Sequence, residues 1–314
     1  MGPDELVQVG YIADRYYRGG RSRVELADEL GISRFKVARM LDKALELGIV
    51  RIEISLPDSI DMLLSNELRR VFGLKRAIVV RTPSQDPTAV QDALGRVAAQ
   101  LLPEVVADGD LIGVASGRTL LASTKYLTPL PPANVVSLCG ISNPTAEYSS
   151  QVIRQIADAT GGTASPIFAP FILPDPQTAA ALRAEPRIKA AFELFDQVTL
   201  GLVVIGSWEP PDSQFYDLAA SFGLAADLIA RGAVGEVCST IFDRDGRVVA
   251  GIENHTLSIP TEQLRHIPEV IAVAGGWRKT DAVLGALRAK LVTSLVTDAE
   301  LARRIVAVER GGER

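Results

Sequence analysis

From residue 57 onward, short apolar runs of strand length alternate with amphipathic stretches of helical length, and this alternation permits little besides a largely parallel sheet covered by helices. The strand-like runs fall at 77–81, 111–115, 134–138, 198–205, 236–242, 270–274 and 291–295. Helical periodicity fills the intervals at 89–102, 119–126, 149–159, 177–184, 218–231, 280–287 and 298–306. The Asp-Arg-Asp-Gly segment from Asp243 to Gly246 reads as a hairpin turn and calls for at least one antiparallel pair. The expected architecture of 57–314 is thus α/β, doubly wound and Rossmann-like, with 57–74 as an amphipathic linker helix. No internal repeat interrupts it.

The first 56 residues carry a different pattern, three short helices. Leu6, Val9, Ile12, Ala13 and Tyr16 recur at helical spacing until Gly19 and Gly20 end the helix. A second helix covers 24–30, and a third runs from Arg34 to about Leu47 with Val37, Leu41, Ala44 and Leu45 on one face and Ser33 as N-cap. Residues 49–55 alternate as a short strand, a wing. Ala27 is the small residue where two helices cross; Gly31, four residues on, makes the turn; Val37, six further, locks the third helix, while Leu30 and Met40 fill the interior. That spacing is a helix-turn-helix. It directs Arg34, Phe35, Lys36, Arg39 and Lys43 outward as a major groove would receive them, with Ser33 and the helix N-terminus near a phosphate. Arg15, Arg18, Arg21 and Arg23 are then expected on the phosphate backbone.

Charge supports the division at residue 56. The chain totals 33 Lys plus Arg against 38 Asp plus Glu, a net −5, which taken whole argues against a nucleic-acid or anionic-membrane surface. Residues 1–56 hold nine cations and nine acids, so the whole acidic excess lies in 57–314 and the positive charges bunch between Arg15 and Lys43. No apolar run approaches the roughly 20 residues of a membrane span, and residues 1–9 lack a signal-peptide layout. The chain is expected in the cytosol. Cys139 and Cys238 offer neither a disulfide framework nor zinc-ligand spacing, so no metal and no cofactor is expected.

Two glycine-bearing junctions mark a ligand site. Leu111 to Thr119 runs from an apolar strand through a Gly-rich turn into a helix, offering backbone N–H groups and the hydroxyls of Ser116 and Thr119 to an anion, most simply a phosphoryl group. Val270 to Ala274 leads into Gly275, Gly276, Trp277, Arg278 and Lys279, which places Lys279 near another strand's carboxyl end, where open α/β sheets form their crevices. Asn143, Glu236 and the Gly206-Ser207 loop are candidates to hydrogen-bond hydroxyls.

Taken together, "GISRFKVARML" and "LGIVRIEI", then "GVASGRTL", "GAVGEV" with "FDRDG", and the long "EQLRHIPEVIAVAGGWRKTDAVLGALRAKLVTSLVTD" resemble the SorC family of bacterial sugar-responsive transcriptional regulators. The resemblance spans nearly the whole chain, and its last stretch is the most specific. It implies an effector domain similar to sugar-phosphate isomerases and glucosamine-phosphate deaminase, which binds a phosphorylated sugar or polyol. It also implies a homo-oligomer, typically a tetramer, acting as a repressor or activator whose operator affinity changes with effector. Matched by motif, the effector turn falls on Gly113, Ser116, Gly117, Arg118 and Thr119, and the phosphate-site lysine on Lys279 after Gly275 and Gly276. Two departures bear on which sugar is read: Ala115-Ser116 stands where relatives often have Ser-Trp, and Val204-Ile205-Gly206 where Gly-Ile-Gly is usual.

An isomerase- or deaminase-like enzyme with a DNA-binding appendage is the rival reading, and a sensor of a non-sugar phosphorylated signal a third. Proton transfer next to a carbonyl requires a positioned base. Neither His255 nor His266 falls in a strand-end glycine loop, and Glu147 and Glu236 form no visible pair, so no catalytic residue is assigned and the expectation is binding without turnover.

Overall fold

A computed structural model describes residues 2–52, 59–142 and 148–311. The chain divides into two compact units, Met1–Leu56 and Pro57–Arg314.

In the first unit, helices α1 (Pro3–Tyr17), α2 (Arg23–Leu30) and α3 (Arg34–Glu46) enclose a small core. Ser22 starts α2 through a reciprocal capping box with Glu25, its Oγ accepting from the Glu25 N–H at 3.2 Å while its own N–H donates to Glu25 Oε2 at 2.7 Å. Gly31 takes φ +63°, a conformation glycine adopts without a Cβ penalty, and Ile32 N–H then reaches back to Ala27 O at 3.0 Å. Ser33 caps α3. Val37, Met40, Leu41 and Ala44 pack on Val9, Ile12, Ala13, Leu26 and Ala27. Leu6, Leu30 and Leu45, expected on apolar faces or in the interior, are exposed, and Ile32 rather than Leu30 packs against the core after the turn at Gly31. The expected wing strand is absent over 49–52, where Val50 N–H bends back to Ala44 O at 3.0 Å; positions 53–55 lie outside the described residues.

The second unit is built on a seven-stranded parallel sheet: β1 (Arg76–Val80), β2 (Leu111–Val114), β3 (Asn134–Ser137), β4 (Ala164–Ser165), β5 (Leu200–Val203), then, numbered after the second sheet, β10 (Glu269–Val273) and β11 (Ser294–Asp298). The second sheet has four antiparallel strands, β6 (Ile205–Trp208), β7 (Pro211–Asp212), β8 (Ala233–Val237) and β9 (Thr240–Asp243). The spatial orders are β1-β11-β10-β5-β2-β3-β4 and β7-β6-β8-β9. Successive residues of the parallel strands enter different apolar layers, Val79 one and Val80 the other, Val136 one and Val135 the other, as the period of two requires of a sheet covered on both faces. Each fully buried Leu or Ile in them contributes roughly 1.5–3 kcal/mol.

Three expected elements prove to be pairs. The run 198–205 is two strands, because the chain leaves the parallel sheet at Val204 and enters the antiparallel one; its continuous apolar character reflects burial in both. The run 236–242 belongs to a hairpin turning at Cys238, which holds φ +54°, and Ser239. The helix expected over 218–231 is split at Gly223, φ +75°. The Asp243–Gly246 turn does form, closed by Gly246 N–H on Asp243 O at 3.1 Å, but leads only to an isolated bridge between Phe242 and Val248. The linker helix is shorter than expected, α4 (Met62–Phe72), and is built into this unit: Leu64 and Leu68 join its core and Glu67 pairs with Arg310 at 2.6 Å.

Leaving β2, the chain winds outward to β3 and β4; leaving β5 it winds the other way, to β10 and β11. The crevice between those directions, outside the carboxyl ends of β2 and β5, is where an open sheet holds a ligand.

Candidate functional site

That crevice is a cleft of about 200 Å³. Its walls come from the residues following β2 (Ala115 to Thr119), those following β3 and β5, and the Gly275 to Lys279 loop after β10, with Asp212 and Glu236 contributed by the antiparallel sheet and Ser213 by the residue that follows β7. A cavity of this size admits a small polar metabolite.

Among the described residues five charged ones line it, and four of them, Arg118, Asp212, Glu236 and Lys279, act directly on one another. Arg118, the first residue of the helix Arg118–Ser123, pairs with Asp212 Oδ1. Lys279, in the single turn Trp277–Lys279, donates from Nζ to Ile205 O at 2.7 Å and lies 4.0 Å from Asp212 Oδ2. Burial opposes ionisation of Asp212, but the charge of Lys279 and the hydrogen bond and charge of Arg118 hold its carboxyl below the ordinary value. Burial likewise lowers the Lys279 ammonium, against Asp212 and Glu236, which favour its charge.

Glu236 is the most enclosed of the four. It sits near the end of β8, not at a strand start, and its side chain crosses Gly206 on β6. Trp208 Nε1–H donates to Oε2, and the Ser213 hydroxyl donates to Oε1 at 2.5 Å. Burial pushes its carboxyl up to about 7, while Ser213, Lys279 and Trp208 pull the other way. Ser213 also caps the helix Gln214–Ser221, donors Phe215 N–H and Tyr216 N–H lying at 3.1 and 3.3 Å, so one hydroxyl joins the helix to the acid.

The glycine loop is held from below. Asp298, wholly buried at the end of β11, accepts from Gly276 N–H at 2.6 Å through Oδ2 and from Glu300 and Leu301 N–H, each at 3.1 Å, through Oδ1. One carboxylate thereby caps the last helix and shapes the loop that carries Lys279. A Cβ at Gly275 would stand 2.4 Å from Leu94 Cδ1 and 2.8 Å from Val90 Cγ1, so a side chain there would force both to move.

Of the expected ligand residues, Ser116, Gly117, Arg118, Thr119, Glu236, Gly275, Gly276 and Lys279 line the cleft. Gly113 does not: it lies within β2, where a Cβ would meet Leu138 Cδ2 at 2.6 Å, and its role is packing. Asn143 and Glu147 fall outside the described residues. Ser207 is turned away, its hydroxyl donating to Pro210 O at 2.8 Å inside β6. Asp212, Ser213, Trp208 and Asp298 were not singled out from the sequence. An Asp at the end of an apolar strand and directly before a helix was the available sign for Asp298. Cys139 and Cys238, remote in sequence, both line the cleft as free thiols; a hydrogen bond with Cys139 that favours the neutral Cys238 thiol, and then burial, push that thiol up.

On the helical unit, α3 presents Ser33, Arg34, Phe35, Lys36 and Arg39 to solvent, Phe35 at 70 % exposure with the Arg34 guanidinium 5.3 Å from its ring centre. Among the described residues no ion pair involves Arg34, Lys36 or Arg39. Lys43 differs, its Nζ held by Glu5 Oε1 at 2.7 Å, which ties α3 to α1 and lowers the Glu5 carboxyl. Arg15, Arg18 and Arg21 are paired with Glu29, Asp14 and Glu25. Arg23 lies over the ring of Tyr16.

A family model described as "Putative sugar-binding domain" matches residues 59–307. The chain is 32 % identical over 308 residues to the "Uncharacterized transcriptional regulator YjhU" of Escherichia coli K12, covering 94 % of this chain and 92 % of that protein. It is 29 % identical over 297 residues to the deoxyribonucleoside regulator of Bacillus subtilis 168, covering 93 % and 94 %. Among solved structures, the full-length sorbitol operon regulator SorC from Klebsiella pneumoniae superposes with a TM-score of 0.73 at 26 % identity, covering 97 % of this chain and all of that one.

Proposed function

We propose, from the premise that this chain belongs to the SorC family of bacterial transcriptional regulators with a sugar-binding domain, that a phosphorylated sugar or polyol bound in the cleft controls the affinity of α3 for operator DNA. One observation carries the effector half: Arg118 and Lys279 both approach Asp212 in a cleft whose other polar lining includes Arg278, Glu236, Ser213, Ser116 and Thr119. Two cations suit a phosphoryl group, and the carboxylate and hydroxyls suit sugar hydroxyls. The DNA half rests on the exposed Arg34, Lys36 and Arg39 of α3. Effector must bind one arrangement of the protein better than another, or nothing would be transmitted.

We read the cleft as binding without turnover, the chain as a homo-oligomer and its home as the cytosol. No helix among the described residues is long and apolar enough to cross a membrane. The carboxyl of Glu236, at about 7, favours the enzymatic rival, because a general base works best near the ambient pH. The two readings part on incubation with a panel of sugar phosphates followed by NMR: stoichiometric binding with substrate intact supports a regulator, and accumulating isomer or released ammonia supports an enzyme. Thermal-shift screening of the same panel with dephosphorylated counterparts tests the phosphate requirement, since a ligand of the native state raises the melting temperature by mass action.

A further inference from the structure

We infer that Asp212 is a resident anion in the phosphoryl seat, holding the space between Arg118 and Lys279 until a dianionic phosphoryl group displaces it. This rests on the reading of the cleft as a phosphoryl-sugar site and adds what the ligand must do to enter. Asp212 offers one carboxylate oxygen to Arg118 and sets the other 4.0 Å from Lys279 Nζ, so the two cations bracket a volume of carboxylate size. Lys279 Nζ also donates to a neutral carbonyl, Ile205 O. A phosphoryl group placed against both cations would stand within a few ångströms of Asp212, and like charges that close repel one another. A dianion also neutralises the two cations more fully than one carboxylate does. The seat therefore selects for a ligand charged strongly enough to expel Asp212, and a neutral polyol leaves the carboxylate where it is.

Asp212 is free to leave. Its side chain is 33 % exposed, and it ends the two-residue edge strand β7, whose pairing with β6 reaches only Ser207 and Trp208. The residues after it each hold a different wall: Ser213 bonds Glu236, and Gln214 Oε1 accepts from the Ser142 hydroxyl at 3.0 Å beyond β3. Expulsion of Asp212 thus loads a strap, 211–214, that spans the cleft and opens the helix Gln214–Ser221. The acid serves as a positioning and specificity-determining residue, its displacement being the first local step of the response.

The test is calorimetric titration of the full-length chain with inorganic phosphate at constant ionic strength, in wild type, Asp212→Asn, Asp212→Ser and Lys279→Met. Removing the resident charge should tighten phosphate binding tenfold or more in both Asp212 variants, and Lys279→Met should abolish it. Asp212 variants that bind phosphate no better than wild type, or worse, while Lys279→Met still abolishes binding, overturn the resident-anion role and leave the phosphoryl seat standing. Phosphate binding indifferent to Lys279→Met, or absent throughout, overturns the seat and the inference with it. Matching melting curves for the Asp212→Asn and wild-type chains guard against misfolding, and Asp212→Ser repeats the measurement with a shorter side chain.

Discussion

Glu236 lies across Gly206, its register partner on the neighbouring strand, so closely that a Cβ at 206 would stand 1.7 Å from Glu236 Oε1. The position where β6 lacks a side chain is thus the position where the acid of β8 enters the cleft. Gly206→Ala forces that acid out of its bonds to Trp208 and Ser213. The expected cost is about 1–3 kcal/mol of stability, the usual range for overpacking, with at least a tenfold loss of effector affinity; thermal melting and ligand titration measure the two, and an alanine variant with wild-type binding contradicts the assignment.

The carboxyl of Glu236, raised by burial from an ordinary 4.5 to about 7, makes stability depend on pH in a stated direction. Between those values the folded chain keeps a proton that the unfolded chain has released. The contribution of this group is complete below the unfolded value and is lost as pH rises through about 7. Glu236→Gln fixes the neutral form, and the Ser213 hydroxyl can turn to accept from the new amide. The variant should therefore match wild type at the acid end of this window and gain on it toward the neutral end. A difference in melting temperature that stays constant across the window would refute the shift.

Much of this architecture was readable because its causes are local. Ser33, Gly31 and Val37 act through caps, turns and spacing within a few residues, so the helix-turn-helix could be drawn to within a residue or two. The alternation after residue 57 likewise encoded the parallel sheet. What escaped was long-range. An apolar run cannot announce at Val204 that it changes sheets, and a cysteine at 238 gives no sign of the φ +54° it adopts in the hairpin turn. Asp212 meets Arg118 across 94 positions of sequence, and Asp298 meets Gly276 across 22; nothing near either acid in the chain marks its partner. The same distance hid the commitment of Lys43 to Glu5, 38 positions away.

Asp298 joins the fold to the loop of Lys279. Asp298→Ala removes an N-cap and leaves the Gly276 N–H without its acceptor, a loss of about 2–3 kcal/mol when a cap and a buried bond go together. Asp298→Asn keeps an acceptor and should recover part of it. Urea denaturation gives the stabilities; equal stability of Asp298→Ala and wild type would show that the loop is held by other means.

On the helical unit, Arg34→Ala and Arg39→Ala should each weaken operator binding by about 1–3 kcal/mol if they read bases. Lys36→Ala should instead lower the slope of log affinity against log salt by about one, the signature of a single phosphate contact. Because Lys43 is engaged by Glu5, Lys43→Met should affect operator affinity least of the four. Gel shifts across a salt series distinguish these outcomes, and equal effects from all four cations would mean that α3 does not lie in the groove as described.

The most direct test of ligand-controlled DNA binding is fluorescence anisotropy of a labelled operator, selected by the full-length chain from a random-sequence library, titrated with protein in the presence of each member of a sugar-phosphate panel and its dephosphorylated form. At least one phosphorylated sugar should move the binding midpoint tenfold or more, its dephosphorylated form should leave it in place, and Lys279→Met should bind the operator normally while ignoring both. A midpoint moved equally by the two forms, or moved undiminished in Lys279→Met, would contradict control through the phosphoryl seat.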